Sequence, residues 1–145
     1  MKLRRESTSG DRHQLLWMIV NASSAPVWLA MILFPRASFT RQLADRLVPL
    51  HMGLGVVYTA ALVHGASQSS EPPDFGKLEN VQQLLQNPSS MLAAWTHYIT
   101  FDLFVGRWIW EQSLEQGRPA RLSMLLTWWA GPMGLTLFLA RSKFS

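Results

Sequence analysis

The chain contains no cysteine, and charged residues make up only 15% of its 145 residues. The absence of cysteine excludes disulfide bonds, thiolate metal sites and cysteine nucleophiles, and it leaves the redox compartment open. Acidic residues are also few, nine Asp and Glu against 13 Lys and Arg, which gives a net charge of +4. In a soluble protein this excess would suggest a nucleic-acid partner. Here most of the basic residues flank apolar blocks, where lipid headgroups would meet them, so we predict no nucleic-acid partner.

The apolar residues, 48% of the chain, are concentrated in four blocks. A helix of about 20 residues spans the ~30 Å of a bilayer's hydrocarbon core. The blocks also lack the polar residues at every third or fourth position that the outer face of a soluble bundle would show. The sequence therefore predicts an all-α fold, an integral membrane four-helix bundle in which residues 1–145 form one domain. The predicted spans are 14–34, 46–66, 91–113 and 120–140.

The segments between the blocks predict further structure. Phe39 and Leu43 lie among charged residues after the first block, which favours a short interfacial helix. A second such helix is predicted in the longest loop, and a serine is the expected N-cap of the third span. The stretch "EQGRPAR" predicts a tight turn, so the third and fourth spans should be antiparallel neighbours. The apolar residues at helical spacing in the longest loop are Phe75, Leu78, Val81, Leu84 and Leu85.

Orientation follows from the number of spans. An even number places both termini on one face, here called side A, and the opposite face is side B. Side A would carry seven basic residues against five on side B, which favours cytoplasmic termini. The basic N-terminal residues are similar to the start of a signal peptide, but the following block is too long for a cleaved one, so we expect a retained flank. Side A holds Lys2, Arg4, Arg5, Arg12, Lys77, Arg141 and Lys143, and side B holds Arg36, Arg41, Arg46, Arg118 and Arg121.

The third block contains Trp95, His97, Asp102 and Arg107. An Asp or Arg at the centre of a membrane helix costs roughly 2.5 to 3.5 kcal/mol. Asp102 lies near the middle of its block, so it is a functional candidate that should face the bundle interior or a wet cavity. The alternative is a purely structural hydrogen bond. His97 and Arg107 each lie five positions from Asp102 and point about 140° away from it, so they should meet different helices.

Counting residues from the membrane faces predicts what lies near Asp102. Pro26 and Pro132 fall at its depth, so we expect two helices to be broken near the bilayer centre. Broken backbone is tolerated there where it is buried in protein or lines a cavity. The hypothesis is a midplane pocket around Asp102, and the alternative is that membrane helices simply tolerate Pro and Gly. The predicted walls are Pro26, Gly55, Trp129, Gly131 and Pro132; Asn21 is level with His97, and His51 is level with Arg107.

The histidines leave one cofactor alternative open. His51 and His97 are about nine residues apart in depth, ~14 Å along a helix axis, so they cannot ligate one haem iron. His64 and His97 are closer in depth, and a haem between them stays open. No motif has the spacing of metal ligands, so we predict no metal and no cofactor.

One motif resembles a known family. The stretch "AAWTHYITFDLFVGRWIW" is similar to the W-x-H-x-x-x-x-D-L-F-x-x-R sequence of the abscisic-acid-deficient-four-like membrane family. The stretches "PVWLAMILFP" and "GLGVVY" resemble the first and second spans of that family. The resemblance covers roughly residues 20–140, and it includes the order of the elements.

The resemblance implies a role in carotenoid chemistry, because the plant member is needed to make neoxanthin from violaxanthin. The leading hypothesis is a carotenoid-modifying or carotenoid-isomerising membrane protein in which Asp102 gives or takes a proton. His97 would relay the proton toward side A, and Arg107 with His51 would fix a head group or a neighbouring helix. By the motif, Trp95, His97, Asp102 and Arg107 are the positions to carry over. The candidate substrate-binding residues are Asn21, Pro26, His51, Gly55, Tyr58, Trp95, Trp129 and Pro132.

Two other functions remain open at this stage. The first is a non-enzymatic pigment-binding or assembly subunit in which Asp102 is structural, and the second is a small haem-binding membrane protein. The expected partners are membrane lipid, a carotenoid or similar apolar ligand, and either a membrane protein or a second copy of the chain. The expected location is a bacterial plasma membrane or a thylakoid-type membrane.

Overall fold

The computed structural model describes the backbone of residues 2–69 and 74–143 and, within these ranges, the side chains from Gly10 onward. All regular secondary structure in this part of the chain is helical, which confirms the all-α prediction. The two short loop helices are present as α2 and α4. The helices are α1 (Lys2–Leu33), α2 (Ser38–Asp45), α3 (Leu47–Ser67), α4 (Leu78–Gln86), α5 (Pro88–Glu115), α6 (Arg121–Ala130) and α7 (Pro132–Lys143).

Helix α5 is the centre of the structure, because α1, α3, α4, α6 and α7 all contact it. It begins at Pro88, whose fixed φ suits the first helical position. The N-cap is Asn87, whose side chain accepts hydrogen bonds from the backbone N–H groups of Ser89 and Ser90 at 2.9 and 3.2 Å. The expected serine N-cap is therefore wrong.

Among the described residues, two helical stretches, Gly10–Leu33 and Leu47–Ser67, are long and apolar enough to cross a membrane. The first runs without interruption through Pro26, so the predicted break of the first helix is wrong. A proline removes one backbone hydrogen bond, and a helix supported by its neighbours continues through that loss. Pro26 lies exposed on the outer face of α1.

The fourth block forms a helical hairpin, not a span. Helix α6 ends at Ala130 and is followed by Gly131, whose φ is +33°; α7 then begins at Pro132 and runs back along α6. Gly134 of α7 lies against the backbone of Thr127 and Ser123 in α6. At the far end of α7, the hydroxyl of Ser142 lies 3.4 Å from the side-chain oxygen of Gln116, beyond the end of α5.

The hairpin corrects the predicted topology. A straight helix over residues 120–140 would place its two ends about 30 Å apart, on opposite faces of a membrane. Instead Phe138 returns to Trp108 of α5, with 5.6 Å between ring centroids. The prediction of a fourth span is therefore wrong. The end of α7 lies beside the turn that joins α5 to α6. Helices α6 and α7, with the turn between them, are called the hairpin below, and Gly131–Pro132 is its tip.

Two apolar clusters hold the helices together. One joins α1, α5 and the hairpin, and in it Trp28 packs directly on Gly106, where any larger side chain would overlap the indole. Trp110 closes this cluster by donating its indole N–H to the Pro35 carbonyl at 2.9 Å. The other cluster joins α1, α3 and α5. Its fully buried members are Val20, Leu54, Ala61, Leu92 and Ala93.

Candidate functional site

Asp102 lies in the middle of α5, directly beneath the hairpin tip. A Cβ atom at Gly131 would lie 2.6 Å from the Asp102 carboxyl oxygen Oδ1. The other carboxyl oxygen, Oδ2, is buried and has no hydrogen-bond partner within the described residues. Buried polar atoms nearly always have a partner, so such an atom requires an explanation.

An array of aromatic rings leads from Asp102 toward the start of α5. Tyr98 precedes Asp102 by one turn of α5, so the two side chains lie on the same face of the helix. The ring of Tyr98 stacks on Trp95 with 5.4 Å between centroids, and Trp95 stacks on Trp17 of α1 at 4.9 Å. These three rings are called the aromatic ladder below. Asn21 lies beside it, accepting a hydrogen bond from the Trp95 indole N–H at 3.1 Å.

The predicted midplane pocket is only partly present. The structure brings one of its wall residues, Gly131, against Asp102. Pro26 and Pro132 are exposed, and Trp129 is 79% exposed beside the tip. A Cβ at Gly55 would meet no atom within 4 Å. Counting residues from the membrane faces placed these residues at one depth. It did not show which side of each helix faces Asp102.

His97 lies apart from Asp102. It is exposed, and its ring contacts Phe101 and Tyr58 with centroid distances of 4.6 and 5.8 Å. The five-residue spacing directs the two side chains to different faces of α5, as the helical geometry predicted. The structure therefore provides no contact for the proposed proton relay from Asp102 to His97.

His51 and Arg107 line one cleft of about 450 Å³ between α3 and α5. Arg107 pairs with Glu111, one turn later on α5, at 2.8 Å. The Nδ1 atom of His51 lies 2.9 Å from the Leu47 carbonyl, and since a carbonyl oxygen only accepts, Nδ1 carries the proton. The Nε2 atom is then an acceptor, and it is buried without a partner in the described part of the chain. The sequence analysis missed Glu111, although its i,i+4 spacing from Arg107 is the ordinary signal for such a pair.

Sequence reasoning also missed a histidine–serine cluster near the start of α5. His13 of α1 and His64 of α3 place ring nitrogens 2.8 and 2.9 Å from the hydroxyl of Ser89, which is 2% exposed. Ser89, which the His64 ring contacts, lies eight positions and ~12 Å of helix rise from His97, whose ring contacts Phe101 and Tyr58, so the structure does not bring these two histidines together. No spacing signal could have found this cluster, because its members are 25 and 76 positions apart.

The fold and the site together define a class: an all-helical protein whose apolar helices are largely exposed and whose hairpin packs on a half-buried carboxyl group. Comparison with known proteins identifies the family. Residues 15–138 match the ABA DEFICIENT 4-like family, and the chain belongs to it. The predicted resemblance is confirmed.

One curated relative is Protein ABA DEFICIENT 4, chloroplastic, of Arabidopsis thaliana. The two sequences are 24% identical over 116 residues, which cover 76% of this chain and 52% of that protein. The chain thus spans about half the length of this relative. No solved structure matches the chain.

Proposed function

We propose that this is an integral membrane protein in which α1, α3 and α5 cross the bilayer and the hairpin enters it from side B. The main support is the outer surface. Only 39% of the apolar window of α1 and 17% of that of α3 is buried inside the protein. A soluble monomer rarely exposes so large an apolar surface, whereas lipid would cover it. The exposed apolar residues of α3 include Val48, Met52, Val56, Leu62 and Val63.

The lengths of the helices fit this arrangement. Helix α5 has 28 residues and is ~42 Å long, more than the hydrocarbon thickness, and Asp102 lies at its middle. Helices α6 and α7 have 10 and 12 residues, ~15 and ~18 Å, so each reaches about halfway. A chain reversal at that depth is tolerated only where it is buried in protein, and Gly131 at the tip is buried.

We further infer that the protein catalyses proton-transfer chemistry on a carotenoid-type polyene, with Asp102 as the acid and base. The observation that carries this inference is the unpartnered, buried oxygen of Asp102 in the middle of α5. An ionisable group held at that depth is expensive and is most often retained for function. Membership in a family whose plant member is linked to xanthophyll formation supports a polyene as the substrate class.

The proposed chemistry is an isomerisation, which one carboxyl group can complete. Asp102 gives its proton to a polyene carbon or to an epoxide oxygen, and the resulting positive charge spreads along the conjugated chain. The cation then rotates about a bond that has lost double-bond character, or rearranges, and returns a proton to the Asp102 carboxylate. Substrate and product differ by no atom, and the carboxyl group ends in its starting form.

The aromatic ladder is the proposed binding face for the polyene. The faces of Trp and Tyr rings attract positive charge, so they favour the cation that this chemistry forms. Asn21 and the Trp95 indole N–H would mark the polar end of the same face. The hairpin tip lies against Asp102 and would form one wall of the substrate's approach to the carboxyl group.

The test is pigment profiling by chromatography in a carotenoid-producing host. Wild type is compared with Asp102→Asn and with Glu111→Gln, a matched acid-to-amide change on the same helix in the partly exposed Arg107 pair. We expect a new or cis-shifted carotenoid with wild type and Glu111→Gln, and none with Asp102→Asn at equal expression. Product formation by Asp102→Asn would show that this carboxyl group does not carry the reaction.

A second candidate function is a pigment-binding or assembly subunit. The observation that favours it is the contact between Asp102 and Gly131, which packs the tip on the carboxyl group. In that case Asp102 holds the hairpin to α5. Asp102→Asn would then lower thermal stability or pigment retention, while wild type would leave the pigment profile of the host unchanged.

A further inference from the structure

Three arginines line one cleft at the base of the hairpin. Arg36 follows α1, Arg118 lies in the turn after α5, and Arg121 begins α6. The cleft has a volume of about 520 Å³, and no Asp or Glu is among its lining residues. Its apolar walls are Phe34, Leu114 and Met124.

A smaller cleft of about 150 Å³ adjoins the first and shares Arg118 with it. Its lining includes Arg141 and Ser142 from the end of α7, so four arginines from separate segments line the two clefts. Within the described residues the salt bridge found joins Arg107 to Glu111. None of the four cleft arginines takes part in it. Like charges held around one cleft repel one another, and a bound anion relieves that repulsion.

The position of the clefts indicates which anion. In the membrane arrangement proposed above they open at side B, at the ends of α5 and α7, where phospholipid headgroups lie. Basic pockets at the ends of membrane helices bind anionic headgroups, and guanidinium groups bind phosphate oxygens in pairs. The apolar residues Phe34 and Met124 would contact the first carbons of the lipid tails.

We propose that these clefts bind the phosphate headgroup of an anionic phospholipid from the side-B leaflet. The lipid holds both ends of the hairpin, because Arg121 begins α6 and Arg141 lies in the last turn of α7. This inference rests on the membrane arrangement and does not depend on the pigment chemistry.

The test measures lipid binding to the full chain, purified in a neutral detergent, by native mass spectrometry. The probes are phosphatidylglycerol, phosphatidylcholine and inorganic phosphate, each added at the same concentrations. The double variant Arg118→Gln/Arg121→Gln is compared with Arg41→Gln, which removes an exposed arginine of α2 that lies outside both clefts. Arg36→Gln, in the connection between α1 and α2, is a second cleft variant that changes no helix residue.

We expect wild type and Arg41→Gln to bind phosphatidylglycerol more tightly than phosphatidylcholine. Each cleft arginine removed should weaken phosphatidylglycerol binding about fivefold, including the one removed in Arg36→Gln. Three results would overturn the proposal: equal binding of the two lipids by wild type, an equal loss in Arg41→Gln, or inorganic phosphate binding as tightly as phosphatidylglycerol.

Discussion

Asp102 of α5 and Gly131 of the hairpin tip meet so closely that the space between them has no room for a side chain. A Cβ at position 131 would lie 2.6 Å from Oδ1 of Asp102, and the backbone of Gly131 has a φ of +33°. Both conditions require glycine, because other residues rarely adopt positive φ. The contact links the only break in the fourth apolar block to the ionisable residue at the middle of the third.

Gly131→Ala should therefore destabilise the protein. A strained backbone conformation costs on the order of 1 to 3 kcal/mol, and the overlap with Asp102 adds to it. Thermal unfolding in detergent should show a lower midpoint than wild type. The control is Gly55→Ala, where a Cβ meets no atom within 4 Å and the helix gains about 1 kcal/mol of propensity. Equal midpoints for the two variants would contradict the tip geometry.

Gly134→Ala tests the packing of α7 on α6. The added methyl group would overlap the backbone of Thr127 and Ser123, which cannot move away as a flexible side chain could. Overpacking of this kind costs typically 1 to 3 kcal/mol, so thermal stability should fall. Gly53→Ala is the matched control, since its Cβ would face open space within a helix. If Gly134→Ala were as stable as Gly53→Ala, α7 would not lie against α6.

Ser89→Ala should destabilise the contact between α1, α3 and the start of α5. The change leaves His13 and His64 without the buried hydroxyl that both ring nitrogens approach. Losing a part-buried hydrogen bond costs roughly 0.5 to 1.5 kcal/mol, so a thermal or denaturant unfolding curve should resolve the loss of two. Ser67→Ala serves as the control, because its exposed hydroxyl bonds only to the His64 carbonyl of its own helix. A loss in Ser67→Ala equal to that in Ser89→Ala would show that the cluster adds no stability.

The sequence was sufficient to predict the helical class, the short helices α2 and α4, and Asp102 as the residue that needs an explanation. It also indicated a break at Gly131–Pro132, because proline removes a backbone hydrogen bond and disfavours helix at the residue before it, although the same reasoning was wrong at Pro26. It could not show that the chain turns back at the break. A hydropathy block has the same composition whether it crosses or returns, and the reversal depends on the contact of Gly134 with Thr127.

The candidate site, like the fold, was predicted only in part. Helical spacing was enough to separate His97 and Arg107 from Asp102. Predicting the aromatic ladder would have required the rotation of α1 relative to α5, because that rotation brings Trp17 to Trp95. A count of residues along each helix gives depth and not rotation. The histidine–serine cluster needed contacts between three helices at once, so it could come only from the folded structure.

The hairpin also changes the expected orientation of the chain. In the proposed membrane arrangement α7 returns to side B, so Arg141 and Lys143 join that side, which then carries seven basic residues against five on side A. The positive-inside rule therefore predicts that side B faces the cytoplasm and that the start of α1 lies outside. Side A keeps Lys2, Arg4, Arg5, Arg12 and Lys77.

The absence of cysteine makes this orientation directly measurable, since one introduced cysteine is the only reactive thiol. We expect Asp11→Cys, at the start of the apolar stretch Gly10–Leu33 of α1, to react with a membrane-impermeant maleimide in intact bacterial spheroplasts. Ser142→Cys, at the end of α7, should react only after the membrane is permeabilised. Labelling of both cysteines from the same side would restore a fourth span over residues 120–140. If Ser142→Cys reacted in intact spheroplasts and Asp11→Cys reacted only after permeabilisation, the hairpin would stand. The charge count would then not set the orientation.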